Sequence, residues 1–358
     1  MKYFQKMTEF GHEQVVLCHD KTTGLKAVIA IHNTVLGPAL GGCRMWPFES
    51  EEAAIEDALR LSRGMSYKNA AAGLNLGGGK AVIIGDPNKD KSEALFRAFG
   101  QFVQSLGGRY ITAEDVGTSV QDMEAIKMET NFVAGLPKMF GGSGDPSPFT
   151  ALGTFEGIKS TVKYKMGRDD LKGLKVAVQG LGHVGYYLSE MLHQAGAELI
   201  VTDIYKDKID RVVKEFGAKA VDGDEIYGVD AEIFAPCALG AIINDKTIPK
   251  MKFQIIAGAS NNQLHDEKKH GSELKQKGIL YAPDYIINAG GVINVYFEVI
   301  KEYNESKVTN KVKDIFNILT EVYTIADAEN ITTAAAAARL AERRIDLIAN
   351  IHQKLMRK

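Results

Sequence analysis

Val176-Ala177-Val178-Gln179-Gly180-Leu181-Gly182-His183-Val184-Gly185 carries the strongest fold signal in this chain. An apolar strand runs directly into the pattern Gly-x-Gly-x-x-Gly, and the following residues, 186–194, are typical of a helix. Gly180 can make the tight turn, Gly182 lets the backbone approach a pyrophosphate, and Gly185 lets the helix and strand pack closely. This strand–glycine–helix context predicts a dinucleotide-binding site that includes Leu181, His183 and Val184.

An acidic residue follows the next predicted strand, which ends at Thr202. Asp203 stands where a carboxylate can bind the hydroxyls of an adenosine ribose. A carboxylate there repels the additional phosphate of NADP, so the sequence favours NAD as the cofactor. Lys206 nearby leaves NADP open, and the alternative role for Asp203 is a helix N-cap.

Short apolar strands alternate with helical stretches on both sides of residues 141–148. Downstream, strands at 176–178, 199–201, 233–234 and 255–257 predict a doubly wound parallel sheet of the Rossmann type. Upstream, strands at 27–31, 81–84 and 109–113 alternate with amphipathic helices, which predicts a mixed α/β domain. The predicted fold class is therefore α/β with two domains.

The boundary between the two domains is predicted at Gly141-Gly142-Ser143-Gly144-Asp145-Pro146-Ser147-Pro148, which consists entirely of residue types that favour turns. We expect residues 1–140, with a C-terminal helix over about 331–358, to form a substrate-binding and oligomerisation domain. Residues 141–330 are then the NAD-binding domain. The C-terminal helix is expected to fold back on the first domain or to enter a subunit contact. Its cations are expected on a solvated face, and they include Arg339, Arg343 and Arg344.

Composition excludes several classes of function. The chain has 358 residues, 45% of them hydrophobic and 25% charged, with a formal net charge of −2. No basic field suggests a nucleic-acid partner, and no stretch approaches the apolar length that spans a membrane. Three dispersed cysteines are expected to be free thiols in a reducing cytoplasm. The eight histidines form no pair at ligand spacing, so no metal site is expected.

A second informative stretch is Gly77-Gly78-Gly79-Lys80, which precedes an apolar strand at 81–84. Three residues without side chains let a substrate come close to the backbone, and we expect Lys80 at the mouth of a sheet. Burial lowers a lysine pKa, and the ammonium of Lys68 facing the same pocket lowers it further. The pattern predicts a lysine base, and the alternative is a glycine turn with a solvated lysine.

Asp115 follows a predicted strand and is a candidate catalytic carboxylate. Since the dinucleotide domain comes second, the first domain is expected to hold the substrate of a hydride-transfer enzyme. A carboxylate at Asp115 could exchange protons with a substrate amine. The alternative is that Asp115 caps a turn.

Several motifs occur in order and nearly from end to end of the chain. They are Gly41-Gly42-Cys43-Arg44-Met45, the segment around Lys68, the Gly-Gly-Gly-Lys run ending at Lys80, Glu114-Asp115, the glycine motif at 180–185, Ala259-Ser260-Asn261-Asn262-Gln263 and Pro283-Asp284-Tyr285-Ile286-Ile287-Asn288-Ala289-Gly290-Gly291. With these motifs the chain resembles the amino-acid dehydrogenases of the glutamate/leucine/phenylalanine/valine family, and its leucine branch most.

The resemblance implies roles for the residues at matching positions. Lys68 binds the substrate α-carboxylate, Lys80 activates water and polarises the reacting carbon, and Asp115 carries the proton of the amine. The implied reaction is reversible NAD-dependent oxidative deamination of branched-chain aliphatic L-amino acids to 2-oxo acids and ammonia. Further positions match by resemblance, and each is equally open to a structural role. They are Gly42, Met65 and Asn288 for the substrate, and Thr150 and Asn262 for the cofactor.

The side-chain pocket is also assigned by resemblance, to Leu40, Ala113, Val292 and Val295. All four are apolar, so glutamate is expected to be a poor substrate, since burying an unpaired carboxylate is prohibitive. Branched aliphatic substrates are expected first. Phenylalanine stays open, because residues 141–145 look like that branch, whereas Tyr296-Phe297-Glu298 is similar to the glutamate branch.

Two further expectations concern assembly and a different class of function. The resemblance implies a symmetric homo-oligomer such as an octamer, built partly through the first domain and the C-terminal helix. The other class of function is a dinucleotide-binding sensor that has kept the fold and lost the chemistry. The joint presence of Lys68, Lys80 and Asp115 argues against that sensor.

Overall fold

The structure, a computed structural model, describes residues 3–356, with side chains described for residues 3–354. The chain falls into two compact units. The first unit comprises residues up to Asp145, together with Val295–Tyr303 and the residues from Ala341 onward. The second comprises Pro146–Asn294 and Asn304–Leu340. The first division thus falls inside the glycine- and proline-rich stretch at 141–148, and a short segment near residue 300 groups with the first unit.

The N-terminal part of the first unit alternates strands and helices. Its elements are α1 (Tyr3–Phe10), β1 (Gln14–Asp20), β2 (Leu25–Asn33), β3 (Ala39–Trp46), α2 (Glu51–Ala71), β4 (Gly77–Ile84), α3 (Glu93–Ser105), β5 (Tyr110–Glu114) and α4 (Val120–Lys127).

These strands form one mixed five-stranded sheet in the order β1-β2-β4-β3-β5. β1 and β2 are antiparallel, as are β2 and β4, whereas β3 runs parallel to both β4 and β5. The mixed α/β character that the sequence predicts is confirmed. β1 and β3 lie outside the predicted strands, because polar residues in β1 and the glycine pair in β3 weaken the strand signal.

Each face of this sheet packs against helices. One core cluster places Val28, Ala30 and Val82 of the sheet against apolar residues of α2. The other places alternate strand residues, such as Ile29 and Ala81, with apolar residues of α3 and α4. Because strand side chains alternate between faces, Lys80 shares the α2 face with Val82.

The second unit begins with a long helix and continues as strand–helix repeats. The elements from here on are α5 (Ser147–Met166), β6 (Lys175–Gln179), α6 (His183–Gln194), β7 (Glu198–Thr202), α7 (Lys206–Phe216), β8 (Lys219–Ala220), β9 (Ile233–Pro236), β10 (Ile255–Ile256), α8 (Glu267–Gln276), β11 (Leu280–Tyr281), α9 (Asp284–Ile287), α10 (Gly290–Val299), α11 (Glu305–Lys313), α12 (Ile315–Ala328) and α13 (Thr333–Met356). Of these, α10 and α13 begin in the second unit and end in the first.

All six strands of the second unit are parallel, in the order β11-β10-β9-β6-β7-β8. The chain winds outward from β6 through β7 to β8, then returns to β9 and winds the other way. This order is that of a Rossmann sheet, and it puts the topological switch point between β6 and β9. The predicted doubly wound parallel sheet is therefore confirmed.

The C-terminal helix α13 continues from the second unit into the first. Arg344 donates from Nη1 to the carbonyl oxygen of Leu74 at 2.6 Å and from Nη2 to Oδ1 of Asn75 at 2.8 Å. The expectation that Arg344 lies on a solvated face is wrong, because the guanidinium caps the carbonyl groups just past α2. Among residues 3–356, no helix combines the length and apolar character that crossing a membrane requires.

Candidate active site

Lys80 lies inside a strand and not at its mouth. β4 begins at Gly77, so the glycine run is part of the strand, and the residue is only 6% exposed. The predicted position at the mouth of a sheet is wrong, since Lys80 is the fourth residue of β4, which pairs with β2 on one side and β3 on the other. The Lys80 ammonium contacts Oδ2 of Asp115 directly. The two residues that the sequence singles out separately therefore form one buried ion pair.

The glycines before Lys80 make room for the protein itself. A Cβ on Gly78 would overlap Ser66 of α2, and one on Gly79 would lie 2.6 Å from the ring of Tyr110. The expectation that the glycine run exposes backbone to a substrate is wrong at these positions. Gly78 instead lets α2 press closely against β4 on the face that carries Lys80, and Gly79 makes room for the Tyr110 ring on the opposite face.

Enclosure changes the acidity of Lys80. Burial, the largest cause, lowers the pKa of Lys80 to about 7, and the positive charge of Arg44 lowers it further. Lys68 acts in the same direction with a smaller effect, whereas Asp57 opposes the shift. A lysine with this pKa exchanges its proton near neutral pH, as a general base requires.

The turn after β5 fixes Asp115. The backbone N–H of Thr118 donates to the carbonyl of Asp115 at 2.9 Å, and the Thr118 hydroxyl donates to the carbonyl of Cys43 at 2.9 Å. Oδ1 of Asp115 accepts from the backbone of Val116 at 2.7 Å. A Cβ on Gly42 would lie 2.8 Å from that of Asp115, so only glycine lets the loop come so close to β3.

Arg44, on β3, extends this cluster. Its Nη1 donates to Oδ2 of Asp57 on α2 at 2.8 Å, and its Nε lies 3.9 Å from Oδ2 of Asp115. Asp57 also accepts from the exposed Arg60 at 2.9 Å through its other oxygen. Charged groups of β3, β4, α2 and the β5 turn therefore converge around the Lys80 ammonium.

The candidate substrate residues of the first unit lie on elements that border Lys80. Lys68 is in the last turn of α2, and Met65 lies one turn earlier on the same helix. Leu40 is 2% exposed and pairs with Gly78 across the β3–β4 ladder, while Gly42 pairs with Ala113 of β5. These strand positions follow the alternation that also places Arg44 on the α2 face.

The helix α10 carries the two remaining pocket candidates, Val292 and Val295. Both are partly buried, and their spacing of three residues puts them on the same side of the helix. Glu298, in the last turn of α10, accepts backbone hydrogen bonds from Gly135 and from Ser143, the latter at 2.8 Å. The carboxylate therefore ties the end of α10 to Gly135 and to Ser143, the latter inside the glycine- and proline-rich stretch at 141–148.

The glycine motif of the second unit has the geometry that its sequence indicates. Gly180 has a positive φ of 95°, and a Cβ on it would lie 2.7 Å from that of Ala238. A Cβ on Gly185 would overlap the carbonyl oxygen of Gly180, so the third glycine lets α6 pack against the turn. A Cβ on Gly182, at the N-cap of α6, would instead meet no atom of the described residues within 4 Å.

Asp203 completes this region at the end of β7. Its Oδ2 accepts the backbone N–H of Leu181 at 2.6 Å, and its Oδ1 accepts that of Tyr205 at 2.9 Å. The carboxylate therefore fixes the glycine turn beside the N-terminus of α6, where the first N–H groups of a helix favour an anion. The space at Gly182, the helix N-terminus of His183 and Val184, and the acid after β7 together fit a dinucleotide.

The other candidates of the second unit have distinct surroundings. Asn288 is 6% exposed and donates from Nδ2 to the carbonyl of Ala259 at 3.0 Å and to Oδ1 of Asn261 at 2.7 Å. Its Oδ1 is buried without a hydrogen-bond partner among the described residues. Asn262 is exposed with a positive φ of 50°. Thr150, on α5, donates to the carbonyl of Pro146 at 3.1 Å.

The sequence places Arg44 within a motif but gives it no role, and it does not single out Asp57 or Thr118. Arg44 could have been predicted as a site residue, because it alternates with Leu40 and Gly42 along a strand and so lies on the same face of the sheet. No local pattern signals Asp57, because its partner comes from a different element.

One cluster in the second unit has the residue types of a metal site, namely Asp245, His270 and Glu273. The backbone N–H of Asp266 donates to Nδ1 of His270 at 2.9 Å, so Nε2 of the neutral ring carries the proton, and it lies 3.2 Å from Asp245. Lys269 pairs with the same carboxylate at 2.6 Å. Two of the three donors, Asp245 and His270, thus already have protein partners.

Two family models match successive parts of the chain. Residues 12–132 match the family model described as Glu/Leu/Phe/Val dehydrogenase, dimerisation domain, and residues 141–351 match Glutamate/Leucine/Phenylalanine/Valine dehydrogenase. Leucine dehydrogenase of Geobacillus stearothermophilus is 59% identical over 97% of this chain and 94% of that protein. Phenylalanine dehydrogenase of Lysinibacillus sphaericus is 51% identical over 96% of this chain and 90% of that protein.

A solved structure agrees with these sequence relatives. The crystal structure of L-tryptophan dehydrogenase from Nostoc punctiforme superposes with a TM-score of 0.87 at 49% identity, covering 97% of this chain and 99% of that one. Both family models and the near-complete coverage point the same way. The chain therefore belongs to the glutamate/leucine/phenylalanine/valine dehydrogenase family of amino-acid dehydrogenases, enzymes that use a nicotinamide cofactor.

Proposed function

We propose that this protein catalyses the reversible NAD-dependent oxidative deamination of L-leucine, and of valine and isoleucine, to 2-oxo acids and ammonia. The observation that carries the proposal is the buried contact between Lys80 and Asp115, with the apolar Leu40 on an adjoining strand. Leucine comes first because the relative from Geobacillus stearothermophilus, at 59% identity, is a leucine dehydrogenase.

The proposed mechanism divides the work among three residues. The bound nicotinamide ring supplies the acceptor for the hydride that leaves Cα of the substrate. Lys68 holds the substrate α-carboxylate as a cation, and Asp115 takes the proton from the substrate amine. Lys80, whose pKa is lowered to about 7, accepts a proton from the water that attacks the resulting imine. Asp115 returns its proton to the carbinolamine nitrogen, the C–N bond breaks to release ammonia, and the hydroxyl proton passes to solvent as the 2-oxo acid forms.

The proposed substrate preference rests on the absence of charge at the pocket positions. Leu40, Ala113, Val292 and Val295 offer no cation for a second carboxylate, so glutamate would leave a buried charge unpaired. The pocket cannot separate leucine from valine sharply, since one methylene is worth about 1–3 kcal/mol. We therefore propose a broad range of branched aliphatic substrates.

The preference for NAD rests on Asp203. Its carboxylate accepts the N–H groups of Leu181 and Tyr205 and stands at the end of β7. An anion at this position binds ribose hydroxyls and repels a 2′-phosphate. We further propose that the enzyme is a homo-oligomer.

The proposal is tested by initial rates of NADH formation with leucine, isoleucine, valine, phenylalanine and glutamate, each with NAD and with NADP. We expect the highest kcat/KM with a branched aliphatic substrate and NAD. A higher kcat/KM with phenylalanine would be consistent with the proposed mechanism but would contradict the proposed preference of the pocket for branched aliphatic side chains. Binding of NAD without turnover of any amino acid would instead support a non-catalytic sensor.

A further inference from the structure

Arg44 is a partly buried cation that the proposed mechanism does not use. It lies on β3, two residues after Gly42, and its side chain is 23% exposed. One end of the guanidinium is held by Asp57 at 2.8 Å. Its Nε is buried and has no hydrogen-bond partner among the described residues, and it lies 3.9 Å from Oδ2 of Asp115.

The same carboxylate oxygen contacts Lys80. Asp115 cannot serve a substrate amine while it stays bound to Lys80, and Lys80 cannot serve water while it stays bound to Asp115. Proton transfer therefore needs a second cationic group that can hold the carboxylate once the pair separates. Arg44 Nε is a donor in place for this purpose, and a planar guanidinium can bind Asp57 and Asp115 at the same time.

We propose that Arg44, held by Asp57, is a positioning residue that orients the Asp115 carboxylate and separates it from Lys80 during the reaction. This inference rests on the proposed roles of Lys80 and Asp115. It assigns Arg44 no contact with substrate or cofactor.

The electrostatics of the cluster agree with the geometry. Lys80 is faced by Arg44 and Cys43 from β3, by Asp57 and Lys68 from α2, and by Asp115 from the β5 turn. After burial, Arg44 is the largest influence that lowers the pKa of Lys80, whereas Asp57 raises it. Removing the positive charge and removing the negative charge should therefore move the Lys80 titration in opposite directions.

The experiment compares R44Q, R44K and D57N with the parent protein through the pH dependence of kcat/KM for leucine. The substrate amine titrates identically in every protein, so differences between proteins report the enzyme. We expect the acid limb of R44Q to move to higher pH, on the order of one unit, and that of D57N to move to lower pH. R44K keeps the positive charge, so the acid limb of its kcat/KM profile should not shift. Its kcat should fall about tenfold, because an ammonium cannot bind Asp57 and Asp115 at the same time.

R60Q is the matched control, because Arg60 also pairs with Asp57 but is exposed at the surface of α2. Its limb and its kcat should equal those of the parent. If the acid limbs of the kcat/KM profiles of R44Q and D57N shift in the same direction, or do not shift, Arg44 and Asp57 are not coupled to Lys80. An unchanged kcat in R44K would overturn the positioning role. Should R44Q fail to fold, R44K and D57N still decide both points.

A second readout separates this inference from the proposed function. Competitive acetylation of Lys80 with trace acetic anhydride, followed across pH by mass spectrometry, reports its titration without any turnover. If the parent oxidises no amino acid, the proposed function fails while the acetylation profiles still test the coupling. Opposite shifts in R44Q and D57N support the coupling, and coincident profiles refute it.

Discussion

Lys80 is the residue on which the proposed chemistry depends. It is enclosed because Gly78 lets α2 approach β4, and enclosure lowers its pKa to about 7. A surface lysine titrates near ~10.4 and would stay protonated under the same conditions. The lowered pKa of Lys80 thus results from close packing that a glycine in the strand allows.

Replacing Lys80 with methionine should greatly slow turnover and leave cofactor binding unchanged. We expect kcat to fall by about 10²–10⁴-fold, since the general base is lost, while fluorescence titration gives an unchanged Kd for NADH. K26M, on the exposed face of β2, is the control and should behave as the parent. A K80M protein that retains kcat within a factor of about three would contradict the role of this lysine.

The residue scale also shows where sequence reasoning succeeds and fails. Lys68, Lys80 and Asp115 could be singled out because each stands in a distinctive local context. The depth of Lys80 could not, since glycines suppress the strand signal and hide the start of β4. The Arg44–Asp57 pair joins a strand to a helix, and its partners are defined only by the folded chain.

At the scale of elements, the turn after β5 and the strand β3 set the position of Asp115. Gly42 pairs with Ala113 in the ladder, and its missing side chain leaves room for the Asp115 Cβ. The backbone of Glu114 is equally close to this position, at 2.6 Å from a Cβ on Gly42. A single methyl group at Gly42 must therefore displace the loop that carries Asp115.

The variant Gly42→Ala tests this dependence. We expect kcat to fall by about 10²-fold, because a shift of the order of 1 Å in a reacting group has this effect. Gly64→Ala is the control: it lies on α2 with open space around its Cβ and should raise the melting temperature without changing kcat. Unchanged kinetics in G42A would show that the loop tolerates displacement.

The glycine motif gives a second pair of variants with contrasting outcomes. Gly182→Ala meets no described atom within 4 Å, so its melting temperature should equal that of the parent, while NADH binding weakens because the methyl group fills the space for the pyrophosphate. Gly185→Ala collides with the Gly180 carbonyl and should lower the melting temperature by several degrees. Calorimetry and NADH titration measure both effects. Unweakened NADH binding in G182A would contradict the proposed cofactor site.

At the scale of the whole molecule, the parallel sheet is the part that sequence predicts best. The strands β6, β7, β9 and β10 all match predicted apolar runs, and the motif at 180–185 fixes where the winding begins. The division of the chain is harder to predict, because α10 and α13 each continue from the second unit into the first. A helix shows no break in its periodicity where it changes neighbours.

Two buried histidines link the stability of the molecule to pH. His12 lies 2.8 Å from the Ser62 hydroxyl, His32 lies 2.7 Å from that of Ser66, and their rings are 4.8 Å apart. Burial, with a smaller contribution from the charge of His32, lowers the pKa of His12 to about 4. The unfolded chain therefore binds a proton at higher pH than the folded one.

Stability should consequently fall as pH drops from about 6.5 towards about 4. We expect His12 to contribute on the order of 2 kcal/mol across this window, with solvent screening taken into account. In H12Q the loss of melting temperature over the window should be smaller than in the parent. H19Q, on the exposed side of β1, should keep the parental slope. Equal slopes in all three proteins would remove His12 as the cause.

Product stoichiometry with leucine decides whether the whole molecule is an oxidative deaminase. Purified protein, NAD and L-leucine are mixed, and NADH, ammonia and the 2-oxo acid are quantified in the same sample. We expect equal amounts of all three products, and at least about 10²-fold less product from K80M over the same time. NADH formed without ammonia, or no NADH from leucine in the parent protein, would contradict the proposed reaction.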